Sequence, residues 1–252
     1  SVAFKSLEIF DKALEYAKKA YDESPDNGLF LVSVVGDPKN QAPRNDVIAQ
    51  LRSRAEKTRS AEDVILLGDL IAVSPADSLE LKSLEPFFND VLRDHPEDLR
   101  LQFTLANMYL SRGNTEEASR LYRSILAKNP ANSAALNNLA NILLEDPTSV
   151  AEALVCIEKA LFQEPGNALM LDTKGSILLK MDKSQEAIQV LESALTISRD
   201  PRIGLHLFDA LRRSGRNEEA TNILRKIDRE ELIRSLLSPD DQKILDSIKN
   251  AP

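Results

Sequence analysis

The side chains of this chain best suited to chemistry are two histidines, His95 and His206, one cysteine, Cys156, and the asparagines of "ALNNLANIL" at 135–143. Histidine titrates near neutral pH and can serve as acid, base or metal ligand. A cysteine attacks as its thiolate when neighbouring charge lowers its pKa. Each needs company. No second His or Cys stands at ligand spacing from either histidine. His95 falls in "RDHPED", a helix end, where histidine commonly sits beside the last carbonyls. Cys156, between Val155 and Ile157, reads as a small buried filler. No G-x-x-x-x-G-K or G-x-G-x-x-G loop is present to cradle phosphate. The expectation is a non-catalytic chain with no cofactor and no metal.

The asparagines are harder to dismiss. Asn137, Asn138 and Asn141 together cost a helix about 2 kcal/mol relative to alanine. An amide offers two donors and an acceptor, so it can pair with both N–H and C=O of an extended peptide. It can equally bond a neighbouring helix. The residues alone leave these two readings level.

The elements that position these groups are helical. Of 252 residues, 42% are apolar and 29% charged, with few glycines and no tryptophan. That composition fits a soluble, folded, helix-rich chain. With 32 basic and 40 acidic residues the net charge is −8, which disfavours a general nucleic-acid binder. A single cysteine excludes an internal disulfide. No apolar run is long enough to cross a membrane as a helix, and no signal peptide is visible at the first residues.

The helices repeat. "GNTEEASRLYRSI", "KSQEAIQVLESAL" and "GRNEEATNILRKI" share a polar turn, Glu-Ala and helically spaced apolar residues. The aligned alanines, Ala118, Ala153, Ala187 and Ala220, are 35, 34 and 33 residues apart. Pro130 and Pro165 close two of the units, and Pro96 stands one period before Pro130. One unit carries an extra residue in "LEDPTSVAEA", placed in its inter-helix turn. One pair of this size cannot bury a core alone, so copies must stack.

These units resemble tetratricopeptide repeats. The residues carrying the resemblance are Leu105, Ala106, Tyr109, Ala118, Tyr122 and Pro130; then Leu139, Ala140, Leu143, Ala153, Ile157, Ala160 and Pro165. Gly175, Leu178, Ala187, Leu191 and Ala194 follow, and then Leu207, Leu211, Ala220, Leu224 and Ile227. The resemblance implies an all-α right-handed superhelical solenoid of stacked helix-turn-helix repeats. It also implies a protein-interaction scaffold that holds a peptide or partner protein in its concave groove. The inner wall would carry Arg100, Phe103, Thr104 and Asn107, then Asn137, Asn138 and Asn141, then Asp172, Thr173 and Ser176, then Arg202, His206, Asp209 and Arg213. One subfamily clamps a C-terminal carboxylate with two asparagines and surrounding basic residues. Asn107 and Asn138 match, but Phe103, Leu169 and Thr173 stand where Lys, Lys and Arg are needed, which argues against a clamp. The other reading is a structural or oligomerisation segment of a longer repeat protein.

The expected organisation is one solenoid over 1–252: a half-repeat at 1–26, two degenerate repeats at 27–98, four clear ones at 99–234 and a capping helix at 235–252. In the degenerate part, 61–72 and 83–96 read as a helix pair, with Ser83 as N-cap so that Pro86 falls in a first turn. "LFLVSVV" at 29–35 reads as short helix or strand, and 45–60 as its partner helix. The apolar stripe of 4–21 suggests self-association or a cut array. Residues 199–229 carry net +3, which an acidic partner segment would complement. Late repeats look similar to those of bacterial envelope-associated proteins; a cytoplasmic and an envelope setting both remain open.

Overall fold

A computed structural model describes residues 2–23, 34, 41–72, 78–227 and 239–249. Every regular element among the described residues is an α-helix. The segment 29–35 lies outside them apart from helical Val34. The chain divides into two compact units, 1–125 and 126–252.

The first unit contains α1 (Val2–Glu23), α2 (Gln41–Thr58), α3 (Ala61–Ala72), α4 (Ser78–Asp94), α5 (Leu99–Ser111) and most of α6 (Thr115–Lys128). Helix α3 is apolar nearly all round, burying Val64, Leu67, Leu70 and Ile71, because α2, α4 and α5 all pack on it. Gly68 lets α5 approach: an added Cβ would collide with the Thr104 methyl. Helix α1 contributes Ala17 and Tyr21 to this core, while Tyr16 is 68% exposed. Part of the stripe read as a self-association face or a cut array is therefore consumed inside the unit.

One boundary expectation is wrong. Helix α4 begins at Ser78, not after Ser83, and Pro86 lies inside it. Proline removes a donor and crowds the carbonyl four residues back. Here Pro86 is on the exposed side, while Leu84, Phe88 and Val91 at i, i+4 and i+7 are fully buried. Burial of that inner face, roughly 1.5–3 kcal/mol per large side chain, offsets the local cost of the proline.

The second unit is regular. Helices α7 (Ser133–Leu144) and α8 (Val150–Gln163), α9 (Ala168–Lys180) and α10 (Ser184–Ile197), and α11 (Pro201–Arg213) and α12 (Asn217–Lys226) form successive hairpins, followed by α13 (Pro239–Lys249). The first helix of each pair starts at a side-chain cap. Asn132 accepts from the Ala135 N–H, Asn167 from those of Leu169 and Met170, and Asp200 from that of Arg202, with Pro201 at the first helical position. Asp98 caps α5 in the same way. The extra residue falls in the turn between α7 and α8, where Asp146 accepts from the hydroxyls of Thr148 and Ser149. Ala153, Ala160, Ala187, Ala194 and Ala220 are buried where helices cross. At Gly175 even a methyl group would lie 2.5 Å from Leu191 Cδ2, so α9 and α10 touch backbone to side chain.

Candidate functional site

In the second unit α7, α9, α11 and α13 together line a pocket of about 500 Å³. It brings together nine of the fourteen groove candidates: Asn137, Asn141, Asp172, Thr173, Ser176, Arg202, His206, Asp209 and Arg213. The helical period places them. One turn of α7 separates Asn137 from Asn141, and Asp172, Thr173 and Ser176 share a face of α9.

Their surroundings differ. Thr173 is buried and donates its hydroxyl to the Leu169 carbonyl of its own helix at 3.1 Å. Asp209 pairs with Arg213 one turn on at 2.8 Å, and Arg213 also donates to the Leu179 carbonyl. Arg202 is held by both oxygens of the capping Asp200, a forked contact that keeps its guanidinium charged and the Asp200 carboxyl below the usual carboxylate range. Asn137 donates to the Asn138 amide oxygen at 3.3 Å, while its own oxygen is buried with no donor among the described groups. Asn138 is part-buried and is not in the pocket wall.

His206 is the centre of charge. Its Nδ1 is 2.7 Å from Asp172 on α9 and its Nε2 2.6 Å from Asp241 on α13, with Ser176 Oγ 3.5 Å from Nδ1. The imidazole side chain is only 15% exposed. Burial works to lower its pKa, but the two carboxylates outweigh burial and push it up to about 10. At neutral pH it is an imidazolium donating from both nitrogens, with no lone pair to act as a base. The carboxylates grip opposite edges of the ring, so the three groups do not converge on a common point; no metal-holding cluster occurs among the described residues.

Asp241, Lys243 and Ile244 were missed in the sequence reading, as were Leu144, Glu145, Leu179 and Lys180 of the same wall. A signal for Asp241 was there: Asp172, His206 and Asp241 are 34 and 35 residues apart, one repeat period each. Leu169, noted only as a departure from the clamp, is an apolar side chain 53% exposed at the pocket wall.

The other four candidates lie in the first unit, each with a partner there. Arg100 pairs with Glu62 at 2.8 Å, and Thr104 is buried with its hydroxyl 3.4 Å from Asp69. Phe103 meets the Tyr122 ring edge-on, centroids 5.8 Å apart. The Asn107 amide oxygen accepts from the buried Tyr122 hydroxyl at 2.5 Å. Tyr122→Phe removes that bond and is expected to lower stability by about 0.5–1.5 kcal/mol, measured by urea unfolding. A loss below 0.3 kcal/mol would mean that the asparagine contributes nothing as a structural acceptor.

Two patterns described as tetratricopeptide repeat match residues 85–142 and 169–201. A relative is the cellulose synthase operon protein C of Pseudomonas fluorescens, 26% identical over 78% of this chain and 16% of that protein. A TPR repeat-containing protein of Pseudomonas aeruginosa is 31% identical over 46% of this chain and 20% of its own length. The chain thus spans no more than a fifth of either. Among solved structures, a chain of the APC/C hetero-tetramer Cut9–Hcn1 superimposes with a TM-score of 0.70 at 14% identity, covering 95% of this chain and 45% of that one. No helix among the described residues is long and apolar enough to cross a membrane. The repeat period, the stacked hairpins and the matched segments agree: the chain carries tetratricopeptide repeats over 85–142 and 169–201, a repeat type common in protein-interaction scaffolds.

Proposed function

We propose that the second unit binds a peptide segment of a partner protein in the pocket lined by α7, α9, α11 and α13. The observation that carries this reading is unfinished business in the wall. Leu169 leaves apolar surface in water, and Asn137 holds a buried acceptor without a donor among the described residues, a deficit of about 1–3 kcal/mol that a peptide N–H would remove after a small side-chain rotation. Asn141, exposed one turn away, supplies a second amide able to read main chain. Leu144 and Leu179 give an apolar side chain somewhere to go. Arg202, Asp209 and Arg213 are already paired and serve as a fixed rim rather than as free charges. Arg100, Phe103, Thr104 and Asn107 are occupied within the first unit, so the proposal does not depend on them.

Phage-displayed 12-residue peptides selected on the whole chain test this. Enriched peptides should bind the wild-type chain and lose at least tenfold in affinity to Asn137→Ala with Asn141→Ala, and again to Leu169→Glu. Enriched peptides indifferent to all three changes, or no enrichment, would favour the purely structural segment instead.

A further inference from the structure

The place of α13 is that of the first helix of one more repeat, since Asp172, His206 and Asp241 stand at the same position one period apart. Among the described residues it buries fewer side chains than the first helices before it. Its Ile244 and Ile248 are only partly buried against the cluster containing Phe208 and Leu211. Its Ser247 meets Arg212 at a long 3.4 Å in an exposed contact. Helix α9, in contrast, buries Met170, Gly175, Ile177, Leu178 and Leu179. Among its described side chains the most buried is Asp241, 4% exposed and seated on His206 Nε2.

That seat is built without α13. Asp172, on α9, accepts from the His206 Nδ1–H, which fixes the ring and turns Nε2–H toward the pocket end. Arg202, clamped by Asp200, adds positive charge close by. An occupant that lifts α13 away strands a buried N–H beside a fixed cation unless it brings its own acceptor. A carboxylate satisfies both demands. The segment 199–229, which includes α11, is net +3 in a chain of −8, so long-range charge favours the same class of partner.

We propose that α13 is a displaceable occupant of the pocket end, and that its seat on His206 receives a carboxylate side chain from an acidic, helix-forming partner segment. The proposal rests on the peptide-binding reading above and adds both the chemistry of the ligand and a built-in competitor.

The probe is a fluorescein-labelled peptide of residues 239–249, PDDQKILDSIK, added to the whole chain at pH 7 and read by anisotropy. A chain carrying Asp241→Asn should bind it at least tenfold more tightly than wild type, because the resident carboxylate is gone. A peptide with Asn at the Asp241 position should lose that gain, as should a chain that also carries His206→Gln. Amide exchange in 239–249 should speed up at least tenfold in Asp241→Asn but not in Ser247→Ala. The wild-type chain gives a second readout that needs no variant: excess unlabelled peptide should accelerate exchange of the chain's own 239–249 amides. Equal binding by both chains, equal binding of the Asn peptide, or unchanged exchange would overturn the proposal. Library peptides that bind the pocket while α13 stays protected leave the peptide reading standing and remove this one. No library binder together with no in-trans exchange removes both.

Discussion

Between pH 7 and pH 10 the chain is expected to lose roughly 3 kcal/mol of unfolding free energy through His206 alone. The cause is the pairing of its imidazolium with Asp172 on α9 and Asp241 on α13, with Arg202 and Ser176 as the other polar neighbours. Folding raises the pKa from the usual value near 6.5 to about 10. A raised pKa means that the folded state binds the proton more tightly than the unfolded one. The stabilisation is therefore complete below about pH 6.5 and is lost as the pH climbs through about 10. Urea unfolding at pH 7, 8.5 and 10 measures it, with His206→Gln as the reference that subtracts lysine and tyrosine titrations elsewhere. The wild type should converge on the variant as pH rises. Parallel curves for the two proteins would show that the imidazole is not held charged.

The second large effect belongs to the first unit. Asp63, 1% exposed at the start of α3, accepts from the Tyr21 hydroxyl at 2.6 Å and the Thr58 hydroxyl at 2.9 Å, and faces Arg54 Nε at 3.2 Å. Arg54 also lies over the Tyr21 ring, 5.1 Å from its centroid. Burial, then the bond to Asp63, pushes the Tyr21 phenol well above its ordinary pKa, so it stays a donor at every relevant pH. Asp63→Ala would leave two donors and a guanidinium facing an empty site, and the expected loss is about 3–5 kcal/mol. Tyr21→Phe deletes one donor together with its need for a partner and should cost only about 1 kcal/mol. The asymmetry is the point of the experiment: thermal unfolding that ranks Tyr21→Phe as the more damaging change would contradict a network centred on Asp63. Since α1 reaches α3 through this cluster, amide exchange in α1 should rise in Asp63→Ala before the other helices open.

Much of this fold is legible in the sequence, for a local reason. Helix pairs announce themselves through 3.6-residue spacing, and their ends through Pro96, Pro130 and Pro165, which act within one turn of chain. The buried faces follow too: Leu105, Tyr122, Leu139, Ile157 and Leu191 are all in the core. Pro86 misled because a proline's local preference was outweighed by the buried face of α4, and burial is a property of neighbours.

The site was legible only as a list of faces. Sequence alone determined that Asn107, Asn137, Asp172 and His206 fall on first helices, because register is set by period. Tertiary structure decided what each of them does. It spends the Asn107 oxygen on Tyr122, leaves the Asn137 oxygen without a donor among the described residues, and closes Asp172 and Asp241 on His206. Two of these outcomes depend on bonds spanning 34 and 35 residues. Such bonds form only once separate helices have stacked, and whether two side chains then meet turns on rotamer and distance at the ångström scale. A repeat period marks which residues become neighbours; only packing settles which of them pair.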